Sequence, residues 1–206
     1  MKILNLYAGI GGNRKLWGEE HEVTAVEYEP KTAGVYKELF PNDLVIIADA
    51  HKYLLDHYKE FDFIWSSPPC PSHSRINHAR TREPEFPDMR LYAEIIFLHQ
   101  WFDGLFVVEN VIPYYTPLMP AQEADRHLFW ANFKISPFEP EKKAKIREKG
   151  GQQPFMDIFG FDISGSNIKD KRKALRNCVH PETGLHVLNC AIGKHEYKKQ
   201  KQAILF

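Results

Sequence analysis

Short apolar runs alternate with amphipathic segments along the first two-thirds of this 206-residue chain. The apolar runs are rich in β-branched and aromatic residues, and they predict strands over residues 2–7, 22–26, 44–47, 61–65 and 105–108. The amphipathic segments predict helices over residues 13–19, 31–40, 51–58 and 90–102. Strands that alternate with helices in this way predict an α/β fold with a doubly wound, mostly parallel sheet.

The pattern changes after Pro113, where proline and charged residues become frequent. One strand-like island covers residues 127–133, and lysine and glutamate runs with scattered glycines make residues 134–170 a loop-rich insertion. Leu185, Leu188 and Ile192 then share one face of a predicted helix over residues 181–192. We therefore expect a core of residues 1–133, a short insertion of residues 134–170, and a carboxyl-terminal part, residues 171–206, whose helix returns to the core.

Composition places the chain among ordinary globular proteins, with 43% hydrophobic and 26% charged residues. No apolar run is long enough to span a bilayer, and Met1-Lys2 leads directly into the first predicted strand without a signal segment. We expect a soluble protein in the cytoplasm of a bacterial or phage-infected cell, with no membrane partner. The three cysteines show no Cys-x-x-Cys spacing, so neither a disulfide framework nor a metal site is indicated.

The formal net charge is zero, so a polyanionic partner has to be attracted by local basic patches. Such patches follow the cysteine loop, recur in the insertion and lie near the end of the chain; their members are Arg75, His78, Arg80 and Arg82, then Lys142, Lys143, Lys145 and Arg147, then Lys198, Lys199 and Lys201. Each patch taken alone is equally typical of a solvated surface.

A cysteine and an acid are predicted to share one site. Cys70 follows Pro68 and Pro69, whose rings restrict the backbone, so its thiol is held by a stiff loop. Glu109 ends the apolar run of residues 105–108, which places its carboxyl at the strand edge where open α/β sheets bind ligands. A nucleophile beside a proton donor suggests covalent catalysis on a base. The alternatives are an inert packing cysteine and an acid that caps or pairs.

A second set of residues suits a nucleoside. The turn Ala8-Gly9-Ile10-Gly11-Gly12 follows the first strand, and such turns bring backbone amides close to a bound group. Glu27 ends the second strand, where an acid accepts from ribose hydroxyls, and the ring of Tyr28 is placed to pack on adenine. The third strand ends near Asp49, whose carboxylate can accept from an adenine amino group. Similar turns serve nicotinamide and flavin cofactors, Glu27 alone is consistent with a surface acid, and Asp49 with a helix N-cap only.

In this order the motifs resemble those of the cytosine-5 DNA methyltransferases. The resemblance covers roughly the first 115 residues and resumes near the end; the motifs are Leu6-Tyr7-Ala8-Gly9-Ile10-Gly11-Gly12, Glu27, Asp49, Pro69-Cys70, Glu109-Asn110-Val111 and Arg176-Asn177-Cys178-Val179. It implies a Rossmann-like methyltransferase sheet whose insertion recognises the target. It also implies S-adenosylmethionine as cofactor, held by Tyr7, Ala8, Gly9, Gly11, Gly12, Glu27, Tyr28, Asp49, Ala50, Asn177 and Val179.

The same resemblance assigns the chemistry. Cys70 is the implied nucleophile at carbon 6 of cytosine, which activates carbon 5 toward the methyl group, and Glu109 is the acid at ring nitrogen N3. A carboxyl in an apolar pocket has the raised pKa that this role needs. Arg126 is the first choice for reaching the flipped base, and His127 is the second. We expect no catalytic metal.

The implied partner is duplex DNA with a flipped cytosine. We expect its contacts from Ser74 and Arg75, which belong to a mobile catalytic loop, and from the basic residues Arg80, Arg82, Lys142, Lys143, Lys145 and Arg147. The short insertion predicts a short target site. We expect a monomer, with a separate specificity subunit as an alternative, in a restriction-modification pair or a phage DNA-modification pathway.

Three other functions are consistent with this sequence. One is methylation of RNA, because one branch of the same family acts on tRNA. A second is a catalytically silent DNA-binding protein that keeps the cofactor fold. A third, nicotinamide-dependent reduction, uses the glycine turn but leaves Cys70 and Glu109 unexplained.

Overall fold

The computed structural model describes residues 1–75, 78–79, 85–142 and 151–193. Within these residues, seven strands form one sheet in the order β3-β2-β1-β4-β5-β7-β6. The strands are β1 (Lys2–Leu6), β2 (Glu22–Glu27), β3 (Leu44–Ile47), β4 (Phe63–Ser66), β5 (Leu105–Val111), β6 (Gln122–Ala124) and β7 (His127–Ala131). The first five are parallel, and β7 runs antiparallel to both neighbours. The predicted doubly wound, mostly parallel α/β sheet is confirmed.

The strand order reverses between β1 and β4, which pair directly. In open α/β sheets, ligands bind beyond the carboxyl ends of the strands at such a reversal. The glycine turn follows β1 and the cysteine loop follows β4, so the topology places both motifs at this point.

Six α-helices accompany the sheet in the described residues: α1 (Pro30–Leu39), α2 (Ala50–His57), α3 (Arg90–Trp101), α4 (Gln153–Phe159), α5 (Lys171–Arg176) and α6 (Pro181–Ala191). Side chains of α2 and α3 pack on one face of the sheet, and those of α6 pack on the other. For example, Leu98 lies against the first face and Val187 against the second, and both are fully buried. Because helices cover both faces of the sheet, side chains on both sides of the central strands are buried, and these strands are nearly continuous apolar runs.

The predicted helix over residues 13–19 is wrong in type and length. A single 3₁₀ turn, Asn13–Leu16, takes its place. Gly18 has φ +83°, and a helix cannot continue through this conformation. The backbone of Asn13 packs closely on Gly184 of α6, since a Cβ at Gly184 would lie 2.3 Å from the Asn13 carbonyl oxygen. The segment is therefore a short turn packed tightly against α6, and not the seven-residue helix that was predicted.

A buried ion pair anchors this 3₁₀ turn. The Nε and Nη2 atoms of Arg14 donate to the two carboxylate oxygens of Asp43 at 2.9 and 3.0 Å. The hydroxyl of Tyr36 also donates to Asp43, at 2.8 Å. A charged pair that is paired in this two-pronged way and further hydrogen-bonded is tolerated in a core. The pair thus ties the segment after the glycine turn to α1 and to the start of β3.

The region of residues 134–170, expected to be loop-rich, contains the unpredicted helix α4. Phe155 and Phe159 of this helix, with Phe161 after it, are buried in one cluster with Tyr36 and Phe40 of the α1 side. Strand β6 was not predicted either, because three residues carry too little of a period-two pattern. The final predicted helix is confirmed as α6, one residue shorter.

None of the helices in the described part of the chain has the length and apolar character to cross a membrane.

Candidate active site

Five parallel strands end at one edge of the sheet, and the predicted site residues follow them. The glycine turn lies after β1, Glu27 ends β2, and Asp49 lies two residues beyond β3. Cys70 lies in the loop after β4, and Glu109 lies near the end of β5. The fold therefore brings the predicted cofactor residues and the predicted chemical pair to the same edge.

The cysteine loop is fixed to the neighbouring strand ends. The backbone N–H of Ser67 donates to the carbonyl of Leu6 at 3.3 Å. The side-chain amide of Asn110 donates to the carbonyl of Pro68 at 2.9 Å. This bond holds the proline pair that precedes Cys70. Restricted prolines and a buried amide together immobilise the thiol.

Further bonds hold the chain beyond the thiol against the segment after β5. His73 Nδ1 lies 2.6 Å from the hydroxyl of Tyr115. The N–H of Tyr114 donates to the carbonyl of His73, and Arg75 Nε donates to the carbonyl of Pro113. The loop therefore lies on β5 and its extension from residue 68 to residue 75.

Cys70 is partly accessible, and its ionisation responds to its neighbours. Burial raises the pKa of the thiol, and the nearby Glu109 carboxyl raises this pKa further. The positive charge of Arg126 acts in the opposite direction. The carboxyl of Glu109 and the guanidinium of Arg126 therefore act on the ionisation of Cys70 in opposite directions. Cys178 and Cys190 are both buried.

Glu109 is buried among apolar strand residues, and this burial raises its pKa from 4.5 to about 7. A hydrogen bond with Ser67 and the charge of Arg126 oppose the shift without cancelling it. A carboxyl with a pKa near neutrality is protonated in about half of the molecules at pH 7, which suits a general acid.

His127, the second candidate for reaching the flipped base, lies beside Glu109. Its Nε2 lies 3.6 Å from Glu109 Oε1, too far for a hydrogen bond. Burial, helped by the charge of Arg126, lowers the pKa of His127 to about 3, so the imidazole is neutral at physiological pH. A neutral ring leaves the carboxyl of Glu109 without a counter-ion on that side, which favours its protonated form.

Arg126 lies in the tight turn between β6 and β7, after Asp125 in a left-handed conformation with φ +53°. Its Nη2 lies 3.4 Å from the carbonyls of Arg176 and Cys178, both at the long limit of hydrogen bonding. These contacts direct part of the guanidinium to the carboxyl-terminal segment, while its charge still reaches Cys70 and Glu109.

The glycine turn divides into an open part and a packed part. A Cβ at Gly9 would meet nothing within 4 Å, whereas at Gly11 it would lie 2.3 Å from the ring of Phe40 and at Gly12 2.5 Å from Cys178 Cβ and the Val179 carbonyl. Gly9 therefore faces open space. Gly11 and Gly12 instead permit close packing of α1 and of the segment that carries Val179.

Glu27 holds the turn from the second strand. Its Oε2 accepts from the N–H of Gly9 at 2.9 Å, and its Oε1 accepts from the N–H of Glu29 at 3.0 Å. Each oxygen keeps a lone pair for a further donor. Tyr28 is 76% exposed beside it. The carboxylate is thus an organised acceptor at the mouth of the turn, and not only a surface acid.

Asp49 caps α2, because its side chain accepts from the N–H of Lys52 at 3.1 Å. The N-cap role of Asp49 is therefore confirmed. Its exposed carboxylate can still accept a hydrogen bond from a further donor. Ala50 beside it is buried. At the carboxyl-terminal end, Asn177 is exposed and Val179 is buried, and the segment between them packs on Gly12.

The sequence reasoning missed Glu94, a fully buried acid in the middle of α3. Its Oε1 accepts from the hydroxyl of Tyr7 at 2.5 Å and lies 2.8 Å from His51 Nδ1. Its Oε2 accepts from the hydroxyl of Ser66 at 2.5 Å. The hydrogen bond to Glu94 raises the pKa of His51, against the effect of burial. One carboxylate therefore joins the glycine turn, the start of α2 and the end of β4.

The candidate DNA contacts are only partly described. Ser74 forms an isolated bridge with Pro113, and Arg75 and Lys142 are exposed. Arg80, Arg82, Lys143, Lys145 and Arg147 lie outside the described residues.

Comparison with known proteins places the chain in a family. The model of the C-5 cytosine-specific DNA methylase family matches residues 1–113, more than half of the chain. No curated protein matches the chain.

Solved structures with partial similarity include methyltransferases. DNMT2 of Spodoptera frugiperda is 28% identical with a TM-score of 0.38, over 53% of this chain and 35% of that chain. A SAM-dependent methyltransferase from Agrobacterium tumefaciens is 20% identical with a TM-score of 0.43, over 56% and 40%. A hypothetical protein from Thermus thermophilus is 18% identical with a TM-score of 0.44, over 63% and 73%.

Replacing Glu94 tests whether its carboxylate organises this edge. Glu94→Gln puts an N–H₂ group where one of the carboxylate oxygens accepts, so a buried donor loses its acceptor and the free energy of unfolding should fall by about 1–3 kcal/mol. Urea denaturation measures this change. The control Glu38→Gln alters an exposed acid of α1 and should change it by less than about 0.5 kcal/mol. Equal effects of the two substitutions would show that Glu94 has no organising role.

Proposed function

We propose that this chain, which belongs to the C-5 cytosine-specific DNA methylase family, methylates carbon 5 of cytosine in DNA, with Cys70 as nucleophile and Glu109 as acid. One observation carries the proposal: a partly accessible thiol after β4 and a buried carboxyl on the neighbouring β5 lie at the same sheet edge, close enough for the carboxyl to raise the pKa of the thiol.

The residues at the glycine turn fit S-adenosylmethionine, the methyl donor of this chemistry. Gly9 faces open space, so a bound group can approach the backbone there. Glu27 retains acceptor capacity for ribose hydroxyls, and the exposed ring of Tyr28 offers a face to adenine. Asp49 and Asn177, both exposed, would complete the pocket. When bound, the cofactor supplies an electrophilic methyl group.

Cys70 starts the reaction, because carbon 5 of cytosine is itself a weak nucleophile. The thiolate adds to carbon 6, and the electron pair of the 5,6 double bond moves so that carbon 5 becomes nucleophilic. After methylation, carbon 5 loses its proton and the sulfur leaves carbon 6, which restores the ring. The bond from Asn110 to Pro68 anchors the backbone that leads to Cys70.

Glu109 neutralises the charge that the addition places on the ring. Its protonated carboxyl donates to ring nitrogen N3 as the sulfur–carbon bond forms, and burial supplies the raised pKa that keeps this proton available. Arg126 adds positive charge beside both groups. Because Glu109 is buried, the target base has to leave the duplex stack to reach it.

The family description favours DNA as the substrate over RNA. RNA methylation is the second candidate function, and catalytically silent binding is the third. A search for methylcytosine in both DNA and RNA distinguishes these three functions.

Nucleoside mass spectrometry of DNA and RNA from a host that expresses the protein should show 5-methylcytosine in DNA. Cys70→Ala should abolish the signal, because the addition to carbon 6 loses its nucleophile. Cys190→Ala, at a buried cysteine near the end of α6, serves as the control and should retain the signal. Methylcytosine in RNA alone would transfer the activity to RNA, and none in either would contradict both methylation functions and leave catalytically silent binding.

The pH dependence of kcat/KM tests the assignment of the acid. The competent form needs a Cys70 thiolate, whose fraction rises with pH, and a protonated Glu109, whose fraction falls with pH. Their product is largest between the pKa of Glu109, about 7, and the raised pKa of the thiol, and it declines on both sides. The wild-type profile should therefore be bell-shaped.

Glu109→Gln cannot donate the proton, so the rate should fall by about 10²–10⁴. The residual rate should rise with pH through the thiol's pKa and show no alkaline decline. Glu38→Gln should keep the bell shape. A Glu109→Gln variant with an unchanged bell would assign the acid to another residue.

A further inference from the structure

The turn that follows β1 begins with a strained residue. Tyr7 has φ +54°, in the left-handed region, although it carries a side chain and only glycine takes this region without a steric cost. Among the other described residues that are not glycine, Asp125 alone has a positive φ. Such strain persists where surrounding contacts hold it, and strained residues cluster at ligand-binding sites.

The conformation of Tyr7 directs the next two backbone amides toward β2. The N–H of Ala8 donates to the carbonyl of Val26 at 3.0 Å, and the N–H of Gly9 donates to Glu27 Oε2 at 2.9 Å. Glu27 is the proposed acceptor for the ribose hydroxyls of the cofactor. The orientation of its carboxylate at the mouth of the turn therefore depends on the backbone of Tyr7.

The side chain of Tyr7 is anchored to α3. Its hydroxyl donates to Glu94 Oε1 at 2.5 Å. Burial and the charge of Glu94 both raise the pKa of Tyr7, so the hydroxyl keeps its proton and remains a donor. Glu94 is fully buried, and its Oε2 accepts from the hydroxyl of Ser66 at 2.5 Å, which fixes the carboxylate at the end of β4. The strained residue is thus held by an acceptor that is itself fixed.

We propose that Tyr7 is a positioning residue for S-adenosylmethionine, and that its hydrogen bond to Glu94 keeps the glycine turn in the binding conformation before the cofactor is bound. The inference rests on the proposed function, because it needs this cofactor at the turn. Without the hydroxyl, Tyr7 relaxes to an unstrained φ in the free protein, and binding then includes the cost of restoring the strained conformation. A turn that is organised in advance avoids this cost.

Titration calorimetry with S-adenosylmethionine, in the absence of DNA, tests this role. Tyr7→Phe keeps the ring and removes only the hydroxyl, so the Kd should rise by about 5- to 30-fold, which corresponds to the cost of the left-handed conformation. Ser66→Ala is the matched comparison, because it removes the other hydroxyl that donates to the same carboxylate. It should lower the urea midpoint of unfolding about as much as Tyr7→Phe does, and leave the Kd close to that of wild type.

Tyr53→Phe is the control, since it removes a hydroxyl from α2, where the ring stacks on His57, and should change neither the Kd nor the urea midpoint. Equal rises of the Kd in Tyr7→Phe and Ser66→Ala would assign the effect to a general loosening around Glu94 and overturn the inference. An unchanged Kd in Tyr7→Phe would overturn it too. If the wild-type protein binds no S-adenosylmethionine, the proposed function fails instead, independently of Tyr7.

Discussion

A single buried carboxylate connects, through hydrogen bonds, the segments from which the site is built. Glu94 of α3 accepts from Tyr7 and Ser66 and contacts His51, so it meets residues that follow or end β1, β3 and β4. A buried carboxylate is costly unless such partners satisfy it, so the three segments are constrained together. Glu94 therefore sets the position of the glycine turn relative to the cysteine loop, although it is fully buried and is itself not exposed in the site.

Burial has opposite consequences for the two proposed catalytic groups, Cys70 and Glu109. The same apolar surroundings that raise the pKa of Glu109, and so keep a proton available, also raise the pKa of Cys70 and so oppose thiolate formation. The proposed mechanism therefore works with a small population of the competent form, and the positive charge of Arg126 is placed to favour the thiolate. Neutral His127 adds no second charge that would ionise Glu109.

Residues whose signal is local were predictable from the sequence. The strands, Cys70 between prolines and the acids at strand ends each depend on neighbouring positions, and the structure brings them to one edge. Glu94 lies three residues after Leu91 and four before Leu98, so the helical spacing places it on the buried face. The partners of its carboxylate could not be predicted, because they lie far along the chain. The 3₁₀ turn at Asn13 and the role of Asn110 likewise depend on contacts with residues far along the chain, Gly184 and Pro68.

The most direct test of the central claim is covalent trapping on a duplex that carries 5-fluorocytosine at the target position. Fluorine cannot leave carbon 5 as the proton does, so the sulfur cannot be released from carbon 6 after methylation. The account predicts a denaturation-resistant adduct that forms only with S-adenosylmethionine and that peptide mass spectrometry locates at Cys70. An adduct at Cys178 or Cys190, or methylation of normal DNA without any trapped adduct, would contradict it.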